Sequence, residues 1–389
     1  MLVRAWMAGL AVLAGLTLPL AMATPAVAAQ GGTFAYVANF SSSDVSVIDT
    51  ATNTVVDTIP VGTLPRALAI TPDGKRVYVG NFISNDVSVI DTTTNTVIDT
   101  VPVGANPQGL AITPDGAFAY VTNSGSDNVS VIDTATNTVT TTIPVGDSPL
   151  GLAFTPDGTR AYITNSADDN VAVIDTTTNT VTTTIIVGDL PIGVAITPDG
   201  AFAYVTNLIS GDVSVIDTTT NTVTTTIPVG ISPQGVAITP DGAFAYVANS
   251  GVSNSVSVID TATNTVTTTI PVGSAPTGVA INPDGAFAYV TNQFADNVSV
   301  IDTASNTVTT TVTVGDQPVG VAIGTVPASS TATCPAGSLL TGGGAQLTGP
   351  PPNDLTSRPV GDSWEVSLTN QTGEDISFTP YAVCADITP

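Results

Sequence analysis

The sequence predicts an all-β fold, a seven-bladed β-propeller closed by its N- and C-terminal strands, followed by a small disulfide-closed β domain. Three observations predict it. The word Tyr-(Val/Ile)-x-Asn starts at Tyr36, Tyr78, Tyr120, Tyr162, Tyr204, Tyr246 and Tyr289, in steps of 42, 42, 42, 42, 42 and 43 residues. Each period holds four strand-like segments, and helical periodicity appears nowhere after the N-terminal segment. The first copy lacks a strand that the last copy carries in excess. A period of this length with four antiparallel strands is that of a propeller blade, and a complementary deficit at the two ends favours a ring over an open solenoid.

Residues 1–29 read as an export signal. Arg4 supplies the positive start, an apolar run extends from Ala5 to about Ala23, and Val27 and Ala29 are the small residues before the expected cut. The mature chain is thus expected outside the cell, secreted or at the cell surface, without membrane insertion once the signal is removed.

Residues 30–326 are the expected propeller. In the copy at 108–146, strand one is "QGLAI", and "TPDG" is a turn in which Gly116 takes the left-handed conformation. Strand two, "AFAYVT", puts Phe118 and Tyr120 on one face and Ala119 and Val121 on the other. The loop "NSGSDN" leads to strand three, "VSVID". The turn "TATN", with Asn137 left-handed, leads to strand four, "TVTTTIPV". Pro60, Pro102, Pro144, Pro228 and Pro271 recur in strand four, and proline donates no ladder hydrogen bond, so this strand belongs at the outer rim. Strand one is then innermost, where the small residues Gly109, Ala111, Gly151, Ala153, Gly193 and Ala195 let the strands crowd round one axis. The first copy opens at strand two, "TFAYVANF", and the spare strand one at 318–323, "PVGVAI", completes it.

Residues 327–333 read as a linker and 334–389 as the small β domain, with three strand-like stretches, "SLLTGGGAQLTG", "SWEVSLTN" and "ISFTPYAVCA". Cys334 and Cys384 bracket it. In an exported chain such a pair reads as a disulfide, contributing about 4 kcal/mol through loop closure to a domain too small to rely on its core.

The pattern "YVTN…VSVIDTATNTV…IPVG…P…AITPDG" resembles the YVTN-type β-propeller repeat of exported and surface-layer-like proteins, over about 34–324. The resemblance implies the fold, and a WD40-like blade arrangement, but no function. The segment "CPAGSLLTGGGA…W…N…YAVCA" is similar to small C-terminal β modules of secreted actinobacterial proteins.

Composition narrows the chemistry. The chain has 389 residues, 6 Lys and Arg against 31 Asp and Glu, and a net charge of -25. Phosphate backbones need clustered cations, so nucleic acid is not an expected partner. There is no histidine. That removes Ser–His and Cys–His nucleophile pairs and histidine-ligated metals. Glycine-rich "TGGGAQ" lacks the following helix and lysine of a phosphate loop. The recurring aspartate of "VSVID" is expected to cap its turn.

The non-identical positions carry the functional signal. Turns one–two and three–four share one face and hardly vary. Loops two–three and four–one share the other face and differ in every copy. Residues that bind one asymmetric partner cannot repeat sevenfold, so the variable face is the expected site. The residue after each four–one loop proline opens strand one beside the axis. Arg66, Gln108, Leu150, Ile192, Gln234, Thr277 and Val319 are therefore expected to ring the channel mouth, with Asp147, Asp189 and Asp316 nearby. No catalytic residue and no metal ligand is assigned, and no cofactor is expected, with calcium on the loop carboxylates as the sharper alternative. The expected function is a non-catalytic binding or scaffold protein, a monomer with a protein, peptide or glycan ligand. The alternative is a lactonase-like propeller hydrolase using carboxylates.

Overall fold

Alternation decides the blade. In the third copy, strand Phe118–Asn123 is buried on both faces, because Ala119 and Val121 pack toward one neighbouring blade and Phe118 and Tyr120 toward the other. The structure, a computed structural model, describes residues 31–333, 338–348, 354–360, 363–369 and 377–386, with side chains over 31–327. Every regular element among them is a β-strand. Gln30–Ala328 form one compact unit, and Ser329–Pro389 fall in another.

The first unit is a seven-bladed propeller. Its sheets are four-stranded and antiparallel, and in six blades the strands run in chain order from the inside out. The exception closes the ring: Pro318–Val326 pairs with Gly32–Asn39, followed by Asp44–Asp49 and Thr54–Pro60. We call this sheet blade 1 and number onward. Blade 2 spans 65–102, blade 3 107–144, blade 4 149–186, blade 5 191–228, blade 6 233–271 and blade 7 276–313.

Seven apolar clusters hold the blades together, one per interface. Tyr78, Val87 and Val89 of blade 2 meet Leu110, Ala119 and Ile132 of blade 3, and Tyr289 and Val300 of blade 7 meet Ala35, Val37 and Ile48 of blade 1. The seven repeat tyrosines are each at most 1% exposed. Such burial requires a partner for the hydroxyl, and each tyrosine finds it in the next blade. Tyr78 donates to Asn137 Oδ1 at 2.7 Å, Tyr162 to Asn221 at 2.7 Å, Tyr204 to Asn264 at 2.6 Å and Tyr246 to Asn306 at 2.7 Å. Tyr36 reaches Asn95 at 3.4 Å, and Tyr120 bonds Asn179. Tyr289 of the last blade donates to Asn53 of the first at 2.7 Å, so this belt also closes. The accepting asparagines are the left-handed residues of the three–four turns, with φ of 50–54°. The repeated aspartate does cap that turn: Asp133 Oδ1 accepts from the amides of Ala135 and Thr136 at 2.9 Å.

Crowding at the axis explains the inner glycines. A Cβ at Gly109 would lie 2.1 Å from the carbonyl oxygen of Leu150 in the next blade, closer than any real contact. Gly116, in the "PDG" turn, has φ +76°, a region in which a side chain is strained.

The residues after the propeller depart from expectation in two places. Ala328–Thr333, expected as part of a linker, is a strand, in a sheet with Ser363–Thr369 and Asp354–Val360. Asp354–Val360 was also not expected, since "DLTSRPV" carries a proline and little apolar alternation; it pairs on one side only, with Ser363–Thr369, as an edge strand. Ser338–Thr348 and Ser377–Asp386 form a two-stranded sheet. The expected Cys334–Cys384 disulfide involves Cys334 and the Cys384 side chain, which lie outside the described residues.

Candidate functional site

Each blade delivers one side chain to the mouth by the same device. A four–one loop ends in a buried proline, such as Pro107, and the next residue starts the innermost strand beside the axis. Arg66, Gln108, Leu150, Ile192, Gln234, Thr277 and Val319 together line one cavity of about 330 Å³, with the inner-strand residues that follow them and Gln293. All seven ring positions expected from the spacing are therefore brought together. Asp147, Asp189 and Asp316 are not part of the lining. They are exposed on the surrounding loops, because each stands two residues before its proline and the chain has not yet turned inward.

The ring is two-sided. Leu150 and Ile192 form an apolar arc on blades 4 and 5, and Val319 lies between Thr277 and Arg66. Gln108 and Gln234 are held by the residue after the Tyr-x-x-Asn word. Gln108 Nε2 donates to Ser124 Oγ at 3.3 Å, and Gln234 Nε2 to Ser250 Oγ at 3.0 Å.

At Arg66 the same supporting positions hold Phe40 and Phe82. The guanidinium carbon lies 5.3 Å from the centre of the Phe40 ring and 5.4 Å from that of Phe82, within cation–π range of both. Arg66 Nη1 donates to Gln108 Oε1, while its buried Nε has no hydrogen-bond partner. Burial pulls the Arg66 pKa below its ordinary value, yet a guanidinium stays protonated. No carboxylate neutralises it: among the described residues the one ion pair joins Lys75 and Asp73 at 3.9 Å.

The backbone is irregular at the same place. In blade 3, Thr122 Oγ1 accepts from Gly109 N at 2.7 Å and donates to Leu150 O at 2.7 Å, tying two blades together. Blade 2 has Gly80 in place of that threonine and Ala67 in place of that glycine. Arg66 thus sits where the internal repeat is most broken.

Sequence reasoning found the ring but missed its support, Phe40, Phe82, Ser124 and Ser250, and the extra lining residue Gln293. The signal was present. The position after the buried asparagine is not fixed by the repeat, and phenylalanine occupies it only beside Arg66. Among the described residues, no three Asp, Glu, His or Cys side chains gather in a metal-binding group. The aspartates with lowered pKa, such as Asp115 and Asp157, owe the shift first to hydrogen bonds from Thr113 and Thr155 in the "PDG" turns.

Comparisons with known proteins agree on the fold. A model of the lactonase seven-bladed β-propeller family matches residues 191–325. A model of YNCE-like β-propellers matches residues 2–119 and 73–160. Among solved structures, the chain resembles hydrazine synthase of Kuenenia stuttgartiensis, at 26% identity over 76% of this chain and 99% of that one, TM-score 0.64. It resembles a proposed 6-phosphogluconolactonase of Bacteroides uniformis at 18% identity over 75% and 99% of the chains, TM-score 0.65. It also resembles a protein of unknown function from Desulfotomaculum acetoxidans at 21% identity over 75% and 98%, TM-score 0.66. A search of curated proteins finds no match.

Proposed function

We propose that this chain is a ligand-binding propeller acting outside the cell, and that it takes an anionic group at the channel mouth on Arg66. One observation carries the reading: a cation stacked over a pair of adjoining phenylalanines, in a chain of net charge -25, with no carboxylate paired to it. Removing a charge from water without a counter-charge is costly, and a planar guanidinium is suited to a carboxylate or phosphate. Leu150 and Ile192 supply apolar surface for the rest of a small amphipathic ligand. The export reading rests on the N-terminal sequence.

The test is a thermal-shift and calorimetry panel of citrate, glucose 6-phosphate and inorganic phosphate against uncharged glucose. Arg66→Met keeps an apolar chain packed over the two rings and removes the charge. The expected result is an anion-dependent stabilisation that Arg66→Met weakens at least tenfold while leaving the melting temperature of the free protein unchanged or higher. Anion binding with equal affinity in Arg66→Met would refute the site.

A second reading has support from the comparisons. The lactonase model covers Ile192, Gln234, Thr277 and Val319 of the ring. A phosphorylated sugar lactone would place its phosphate on Arg66. Against hydrolysis, the lining holds Arg, Gln, Thr, Gly and aliphatic residues, with no carboxylate, tyrosine or lysine as general base. Turnover of 6-phosphogluconolactone above the uncatalysed rate, followed in a pH-stat and lost in Arg66→Met, would make the protein an enzyme.

A further inference from the structure

The variable face carries a second cavity, of about 340 Å³, away from the mouth. It is a groove between the two–three loop of blade 5, with Ile209 and Ser210, and the loop from blade 5 to blade 6, with Ile231 and Ser232. Ile209 is 65% exposed and Ile231 57%. Val252, 89% exposed, stands on the next loop, where Gly251 N donates to Ile231 O at 3.0 Å.

The repeat supplies the comparison that makes Ile231 unusual, whereas the position of Ile209 is also apolar and exposed at Ile83 and Phe294. The position of Ile231 holds Thr63, Ala105, Asp147, Asp189, Ser274 and Asp316 in the other blades. Every sibling is small or polar, and three are acidic. An exposed isoleucine there has no role in the blade, since six other blades are built without one.

Acidic residues border the groove on one side. Asp189 N donates to Ser210 Oγ at 2.7 Å, and Ile209 N donates to Asp189 O at 3.2 Å, so the Asp189 loop lies against the groove's loop without lining the groove itself. One blade further, Asp147 N donates to Asp168 Oδ2 at 2.9 Å, and Leu190 N donates to Asp169 Oδ1 at 2.8 Å. None of these carboxylates has a cationic partner among the described residues.

We infer that the surface over blades 4 to 6 docks a polypeptide segment carrying an aliphatic anchor flanked by Lys or Arg. The groove accepts the anchor, and Asp147, Asp168 and Asp189 face its cations. Charge selects the occupant. A second copy of this chain would set -25 against -25, and an acidic partner meets the same repulsion. The site is separate from Arg66 and does not depend on the anion-binding proposal.

The experiment uses the full chain and three fluorescein-labelled peptides, Ac-Lys-Lys-Ile-Leu-Lys-Lys, Ac-Lys-Lys-Ser-Ser-Lys-Lys and Ac-Glu-Glu-Ile-Leu-Glu-Glu, read by fluorescence anisotropy at low and moderate salt. The first is expected to bind at least tenfold more tightly than the other two. Ile209→Ser with Ile231→Ser should weaken it at least tenfold, as should Asp147→Asn, Asp168→Asn and Asp189→Asn together. Arg66→Met should leave it unchanged. Both groove sets alter exposed side chains, and equal melting temperatures confirm folding. Equal binding of the serine peptide would reduce the effect to diffuse acidity and overturn the proposal. So would retained affinity in the isoleucine variant, or no binding at all. Binding of the wild type to phosphatidylcholine vesicles, lost in that variant, would assign the groove to a bilayer and overturn it as well.

Discussion

Raising the pH should unfold the propeller in one step, driven by its tyrosines. Burial pushes the hydroxyls of Tyr120, Tyr204, Tyr246 and Tyr289 up to about 12, from an ordinary value of 10.0. Tyr36, Tyr78 and Tyr162 are raised for the same first cause. Below pH 10 both states are protonated, and the tyrosines cost the fold nothing. Between pH 10 and 12 the unfolded chain loses the protons and the native state keeps them, so stability falls as pH rises. Two pKa units correspond to about 3 kcal/mol for each of the four, or about 11 kcal/mol together. That matches the whole stability of an ordinary domain, about 5–15 kcal/mol. The full sum is reached only above the native pKa, so the transition should come around pH 12. Tyrosinate absorbance at 295 nm and far-UV circular dichroism should change together, with most of the tyrosinate signal appearing in that step, because seven of the eight tyrosines belong to the belt. A smooth spectrophotometric titration centred near pH 10, with the dichroism of the folded state intact, would refute the assignment of these hydroxyls as buried.

Deleting residues 318–326 removes the inner strand of blade 1 and exposes Gly32–Asn39 as an edge; sedimentation should show aggregation, and calorimetry a broadened melt, whereas a melt like the parent's would contradict closure. Gly109→Ala drives a methyl into the Leu150 carbonyl, so its melting temperature should drop far more than that of Gly125→Ala, whose nearest contact is the end of the Asn106 side chain. Tyr78→Phe removes one belt bond and should cost about 1 kcal/mol in a denaturant titration, since the Asn137 it abandons is only half-buried. Hydrogen bonds hold carboxylates such as Asp115 and Asp199 below their usual range, so stability should fall as pH drops through those lowered values. Asp115→Asn with Asp199→Asn should flatten that acid limb of a melting-temperature profile.

The propeller was legible because its information is repeated. Tyr78 or Asn137 alone says little, but seven copies at one spacing fix the period, the turns and the closing strand. The mouth ring followed from geometry that proline makes local: Pro107 places Gln108 whatever Gln108 is. The aromatic support under Arg66 was less legible, since Phe40 and Phe82 lie 26 residues before it and 16 after and converge only once two blades stack. Asp147, Asp189 and Asp316 were placed in the right loops but two residues short of the inward turn. The strands Ala328–Thr333 and Asp354–Val360 lack both repetition and strong alternation, and their pairing is decided by partners the local sequence does not name.

The clasp between Pro318–Val326 and Gly32–Asn39 has a consequence for how the molecule comes into being. A ribosome delivers the N-terminal three strands of that blade first and their fourth almost last. Until then one apolar face of the first blade, with Ala35, Val37 and Ile48, has no permanent neighbour. Bringing the two ends together costs about 5 kcal/mol of loop-closure entropy for a chain of this span, against about 3 kcal/mol for closing a single blade. The near-identical copies in between add a hazard, because a strand from one blade fits its cousin's place with little local complaint. Short connections keep siblings beside their own kin, but only the joining of the two ends counts the blades and rejects a ring of six. Assembly of this protein is therefore expected to have a late, slow step that is a matter of counting blades more than of packing them.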